Sequence, residues 1–206
     1  MDLSFLILTS KRPEQFQKCI NSCLNIIDMN KHLKFEIIVN NDSIDIEEIS
    51  NDTKNCNIQY FYKQYELNDL YKFIFDKSTG NYIYYLEDDD ILLNSFQSVL
   101  DNLYSYQVHV GLYKSFNSKI TSQVLMDIVI ANQYNTFPKI KYFQLSQMIF
   151  KRKEYKFPET FNLLNDEILF QTVYNESESI CYYKKLFFQQ GIGNDNISLH
   201  MLLKQG

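Results

Sequence analysis

The chain opens on an apolar run without alternation, Phe5, Leu6, Ile7 and Leu8 with Ser4 at its head, the pattern of a strand covered on both faces in a parallel sheet. Thr9, Ser10, Lys11, Arg12 and Pro13 follow as a polar turn, with the proline placed to start a helix. Phe16, Cys19, Ile20, Cys23, Leu24 and Ile27 then recur at helical spacing. A second buried strand spans Phe35, Glu36, Ile37, Ile38 and Val39 and breaks at Asn40, Asn41, Asp42 and Ser43. Residues 58–62 predict a third strand, and 67–77 a helix that turns Leu70, Phe73 and Ile74 inward and is closed by Gly80. Tyr82 to Leu86 predicts a fourth strand, with Glu87, Asp88, Asp89 and Asp90 at its exit.

Beyond Leu92 the periodicity loosens. Phe96, Val99, Leu100 and Leu103 predict a helix, and residues 109–113, 124–130 and 142–150 read as strands or short mixed elements. Residues 163–173 predict a further helix and 180–188 a late apolar strand. Strand, helix, strand, helix implies an α/β fold, Rossmann-like, with a mostly parallel central sheet flanked by helices and joined by right-handed crossovers. Ligands of such sheets collect at the carboxyl ends of the strands. The polar exits after Leu8, Val39 and Leu86 therefore converge on one rim.

The 206 residues suffice for one α/β domain. A hydrophobic share of 45% and a charged share of 22% are ordinary for a soluble globular chain. The formal charge of −5 disfavours a broad nucleic-acid footprint. Met1 and Asp2 begin no signal peptide, and no apolar run approaches membrane-spanning length, so a cytoplasmic protein is expected. Cys19, Cys23, Cys56 and Cys181 lack paired metal-ligand spacing and read as buried free thiols of a reducing compartment. His32 and His109 have no partner pattern.

Asp88, Asp89 and Asp90 carry the strongest chemistry. Adjacent carboxylates repel one another, and a hard divalent cation would relieve that repulsion while gripping a diphosphate through its remaining coordination positions. A solvated acidic turn is the alternative for a bare triplet, but the buried strand before it fixes this one on the rim. Asp42 reads either as a ligand contact or as the cap of an Asx turn.

Three segments in register, Ser4 to Ser10, Phe35 to Ser43 and Gly80 to Asp90, resemble family-2 glycosyltransferases of the GT-A fold over about the first hundred residues. The resemblance implies a single GT-A domain over 1–206. Residues 1–100 would form its nucleotide-sugar-binding half and 101–206 its acceptor-binding half, with a small acceptor-side subdomain. It implies that Thr9 and Asp42 contact the nucleotide, and that Asp88, Asp89 and Asp90 form the DxD motif, with Asp88 near the ribose and Asp90 on Mn²⁺ or Mg²⁺. Asn41 stands where many members carry a second carboxylate; a UDP-sugar remains the favoured donor. The Arg-Asn pair common ahead of the DxD strand is missing from Asn68, Asp69, Leu70, Tyr71 and Lys72. Lys72 would substitute for it, or Lys11 and Arg12 would meet the phosphates. Asp166 matches the catalytic base, with Glu167 as its alternate, in a pair opening a helix. A base there would take the acceptor hydroxyl's proton during an inverting displacement. His200 is a further metal or phosphate contact by the same resemblance.

Acceptors consistent with this reading are a glycan, a lipid-linked glycan or a protein; a hydroxymethylated base of bacteriophage DNA is disfavoured by the net charge. A catalytically inactive GT-A domain acting as a nucleotide-binding or scaffold module is the competing class. A nucleotidyltransferase ranks last, because the turn from Thr9 to Pro13 has no glycine to cradle phosphates.

Overall fold

The computed structural model describes residues 1–42, 47–49, 53–64, 67–114, 145–157, 169 and 172–189. Strands β1 (Leu3–Thr9), β2 (Phe35–Asn41), β3 (Cys56–Phe61) and β4 (Tyr82–Glu87) pair in parallel. They form one side of an eight-stranded sheet with β5 (Ile91–Leu92), β6 (Val108–Lys114), β7 (Met148–Lys151) and β8 (Ile180–Gln189), in the order β3-β2-β1-β4-β7-β6-β8-β5. The far side is mixed: β7 runs antiparallel to β4 and β6, β8 parallel to β6, and β5 antiparallel to β8.

Two helices make the crossovers. α1 (Pro13–Met29) starts with Pro13 in its first turn and Glu14 beside it, where a negative charge favours the helix dipole. It buries Phe16, Cys19, Ile20, Cys23, Ile26 and Ile27. α2 (Leu67–Lys77) buries Leu70, Ile74 and Phe75. The unalternated strands are explained by these two layers. Phe5 and Ile7 of β1, with Phe35, Ile37 and Val39 of β2, pack on the α1 side. Leu6 and Ile38 join Ile74 and Phe75 on the other. Each such aliphatic side chain contributes about 1.5–3 kcal/mol on burial, so both faces are held.

Register fixes the rim. Leu3 lies opposite both Phe35 and Tyr82, Thr9 opposite Asn41, and Leu8 opposite Glu87. The exits of β1, β2 and β4 thus stand at one level, and the strand order changes direction at β1, the place where doubly wound sheets take ligands.

Several expectations need correction. β2 continues through Asn40 and Asn41, both buried, because the Asn40 side chain exchanges hydrogen bonds with the backbone of Lys63 at 3.0 and 3.2 Å. β3 is shifted to Cys56–Phe61. The helix expected over 96–103 divides into a 3₁₀ turn (Asn94–Phe96), the four-residue α3 (Gln97–Leu100) and a second turn (Leu103–Ser105). Asn102 interrupts it, its backbone at φ −123° and its amide donating to the Ser98 carbonyl at 2.9 Å. Gly80 does not close α2 through a left-handed turn, since no glycine among the described residues has positive φ. Its role is close approach: a Cβ there would stand 2.3 Å from Ser4 Oγ and 2.7 Å from the Ser4 nitrogen. The Gly80 N–H donates to Glu36 at 2.9 Å, joining Ser4 and Thr79 around that buried carboxylate. Cys19 and Cys23 are buried free thiols as expected, whereas Cys56 and Cys181 are only half-buried.

Of the expected 163–173 helix, Leu169 and residues 172 and 173 are described and helical, and the helix runs on through residue 175. The 124–130 segment, Asp166, Glu167 and His200 lie outside the described residues. No helix among the described residues is long and apolar enough to cross a membrane.

Candidate nucleotide site at the sheet rim

β4 delivers the acidic triplet. Asp90 donates its N–H to the Glu87 carbonyl at 3.1 Å, a turn that folds the chain back toward β5 and leaves Asp88, Asp89 and Asp90 almost wholly buried. α1 lies directly beneath: the Cys19 thiol donates to the Glu87 carbonyl at 3.4 Å, and the Leu92 N–H donates to the Ser22 hydroxyl at 3.0 Å.

β1 delivers the counter-charge. Lys11 takes φ 52°, a left-handed conformation that costs a non-glycine residue about 1 kcal/mol. The next residue, Arg12, sits just outside α1. Its guanidinium reaches Asp88 Oδ1 at 2.5 Å and Asp89 Oδ2 at 3.3 Å, bridging the two carboxylates. Removing Arg12 would leave two buried carboxylates without their counter-charge, a loss that costs about 3–5 kcal/mol.

The protonation balance follows from this packing. Burial pushes the Asp88 carboxyl up to about 6; Arg12, the Thr9 hydroxyl and the Ser10 N–H oppose the rise, and Asp89 adds to it. Asp90 is driven well above the usual carboxylate range by burial first and then by the charges of Glu87 and Asp89, with the Ser146 hydroxyl and the Glu87 backbone offsetting part of it. Both Asp90 oxygens and the Tyr84 hydroxyl are sealed from solvent, and among the described residues, the approach of Ser146 to Asp90 apart, neither group meets a partner in full hydrogen-bonding geometry. Burial and the nearby Asp90 raise Tyr84, and burial with Cys23, Asp90 and Asp88 raises Cys19.

A divalent cation fits this donor set. Crowded, dehydrated carboxylates with orphaned oxygens are the groups a hard cation satisfies, and the net charge of the cluster stays negative after Arg12 is counted. Among the described residues no three His, Cys, Asp or Glu side chains converge into a ready-made cage. A cation here would complete its shell with water and phosphate oxygens.

The nucleotide contacts expected from sequence are arranged as follows. Thr9 is buried at the end of β1, and its carbonyl accepts the Asp42 N–H at 3.2 Å, so Thr9 and Asp42 adjoin across β1 and β2. Asp42 is exposed, and its carbonyl accepts from the Gln64 amide at 3.3 Å. Lys72 is engaged elsewhere, with Asp76 one turn along α2 at 2.5 Å on an exposed face. The structure therefore joins Arg12 with Asp88 and Asp89, and Thr9 with Asp42. It does not bring Lys72 to the acidic cluster.

The fold is of the GT-A type. It is similar to S. aureus TarS 1–349 in complex with UDP-GlcNAc, with a TM-score of 0.69 at 14% identity over 95% of this chain and 60% of that one. The same fragment in complex with UDP gives 0.62 at 13% identity over 94% of this chain and 61% of that one. A longer TarS structure gives 0.61 at 14% identity over 98% of this chain and 39% of that one. The chain thus spans about 60% of the TarS fragment's length. No protein-family model matches the sequence. No curated protein matches it either.

Two site features escaped the sequence. Ser146 approaches Asp90 from a 3₁₀ turn (Leu145–Gln147) that no periodicity marks. Arg12 pairs with the acidic triplet across 76 positions; the signal for it was the parallel pairing of β1 with β4, which becomes visible only once the strand order is known.

Proposed function

We propose that this chain is a glycosyltransferase that moves a sugar from a nucleotide-diphosphate sugar, a UDP-sugar by preference, onto an acceptor hydroxyl. One observation carries the reading: an Arg-bridged cluster of dehydrated carboxylates stands at the switch point of a GT-A sheet. That fold is shared with a protein solved in complex with UDP-GlcNAc and with UDP.

Within the site, Thr9 and Asp42 flank the position of the nucleoside at the ends of β1 and β2. Asp88 and Asp89 meet the ribose side of the donor, and Arg12 lies within reach of the diphosphate. Asp88 and Asp90, with His200, would hold Mn²⁺ or Mg²⁺. Once bound, such an ion offsets the negative charge that grows on the departing diphosphate. Lys72 would have to leave Asp76 to take part. Asp166, or Glu167 in its place, would accept the proton of the acceptor hydroxyl as its oxygen attacks the anomeric carbon opposite the leaving group, which inverts that centre. The proton ends on the carboxylate and the electron pair of the broken bond on the nucleotide diphosphate.

The test is calorimetric titration of UDP, UDP-GlcNAc, GDP-, dTDP- and CMP-sugars with and without Mn²⁺, followed by assay of nucleotide release with candidate glycan, lipid-linked and protein acceptors. Metal-dependent binding of a UDP-sugar supports the proposal. Failure of every nucleotide to bind with the metal present would sink it. Binding without any transfer to any acceptor would favour the inactive-module alternative.

A further inference from the structure

Arg12 makes the closest ionic contact in the cluster, yet a phosphate contact and a carboxylate contact compete for the same guanidinium. A guanidinium donates hydrogen bonds and accepts none, so each lone pair it occupies on Asp88 or Asp89 is withdrawn from any coordination shell. A dication entering beside it would also meet a like charge at short range, poorly screened among buried groups.

From this conflict we propose that Arg12 is a resident counter-ion, seated on Asp88 and Asp89 in the empty protein, which must leave before a divalent cation can bind. The donor's diphosphate draws it off. This rests on the nucleotide-sugar reading and adds to it an obligate coupling: cation and nucleotide bind together, each tightening the other.

The asymmetry of the pair says which partner moves. The Asp88 and Asp89 side chains are fully buried on the strand exit, whereas the Arg12 side chain keeps 28% of its surface in solvent. Arg12 stands on the polar turn between β1 and α1 and makes no side-chain cap to that helix. A long side chain on such a turn can swing a few ångströms without disturbing the core; the carboxylates cannot. The planar fork that bridges two carboxylates also matches a diphosphate, where two parallel donors meet two oxygens. Arg12 thus has one binding partner in each state, and only the arrival of the anion makes leaving Asp88 and Asp89 favourable. By reciprocity, whatever the nucleotide gains from the cation, the cation gains from the nucleotide.

The experiment measures Mn²⁺ affinity of the full chain at pH 8, with and without UDP, for wild type, Arg12→Gln and Arg12→Lys, with circular dichroism to confirm folding. Arg12→Gln should bind Mn²⁺ alone at least about fivefold more tightly than wild type and should lose most of the tightening that UDP brings, within the range usual for coupled sites. Arg12→Lys keeps the charge, and folds on the same balance, so it should stay within about threefold of wild type for Mn²⁺ alone. The counter-ion role is overturned if Arg12→Gln gains no Mn²⁺ affinity, or if Arg12→Lys binds Mn²⁺ alone fivefold more tightly than wild type. Should Arg12→Gln fail to fold, Arg12→Met, which keeps the apolar stem, takes its place under the same criteria. If wild type and variants all fail to bind Mn²⁺ even with UDP-GlcNAc present, the nucleotide-sugar reading falls, and the counter-ion role with it. Equal Mn²⁺ binding by all three removes the counter-ion role alone.

Discussion

Asp88→Asn should make the metal-free protein more stable, and only on the alkaline side. Burial carries the Asp88 carboxyl from 3.8 to about 6, even with Arg12 beside it. At about 1.4 kcal/mol per tenfold change in acidity, the folded state disfavours the ionised form by about 3 kcal/mol relative to the unfolded chain. The folded state therefore binds more protons than the unfolded one between those two values. Stability from this group is complete below about pH 4, falls as the pH rises toward about 6, and stays low above it. Asparagine fills nearly the same volume and cannot ionise. The variant should match wild type near pH 4 and lead it by about 3 kcal/mol at pH 8, worth about 6–12 °C in Tm for a chain of this size. Urea denaturation in EDTA at half-unit steps from pH 4 to pH 8 measures this directly. A variant no more stable than wild type at pH 8, or one whose advantage is the same at pH 4, would refute the claim that Asp88 is held against its own charge. Adding Mn²⁺ and UDP should then reverse the order, because only wild type regains the lost stability through binding.

The other expectations concern separate parts of the molecule. Gly80→Ala should cost about 1–3 kcal/mol in urea denaturation, since its Cβ would stand 2.3 Å from Ser4 Oγ and 2.7 Å from the Ser4 nitrogen; a cost under half a kilocalorie would deny the close approach. Glu36→Gln exchanges an anionic acceptor, met by Ser4 at 2.6 Å, Gly80 at 2.9 Å and Thr79 at 3.1 Å, for a group that is half donor, and should cost about 2–3 kcal/mol by the same assay. Asp42→Ala should weaken UDP binding in calorimetry while leaving Tm within a degree or two; unchanged affinity would make Asp42 a turn residue only. Asp166→Asn should keep UDP-sugar binding and lower transfer about 10²–10⁴-fold, the usual worth of a general base; full activity would move that role to Glu167 or elsewhere.

The parallel half of the fold was legible because its strands are covered twice. Phe5, Leu6 and Ile7 could all be apolar only if both faces were buried, and α1 and α2 supply the two layers. Where burial is one-sided or broken, the pattern lost its voice. β8 carries exposed Lys184 and Lys185 beside buried Phe187 and Phe188, so apolarity alone marked the strand but not its partners, β6 and β5. Gly80 shows the same limit from the other direction. A glycine past a helix was read by the commonest rule, and the neighbour that demands it, Ser4, lies 76 positions away.

The acidic triplet was legible as chemistry yet not as an electrostatic state. Three aspartates at a strand exit imply a cation, and the cationic group the fold brings to two of them is Arg12, on the turn between β1 and α1. Nothing local to Glu87 through Asp90 encodes it: the pairing arises because Leu8 of β1 and Glu87 of β4 share a register. The same packing also ties stability to function. Sealing Asp88 away from water costs the fold about 3 kcal/mol above pH 6, and dehydration is also what makes those oxygens bind a cation strongly. A substitution that relieves the strain should therefore disarm the site, and Asp88→Asn measures both sides of that exchange in one protein.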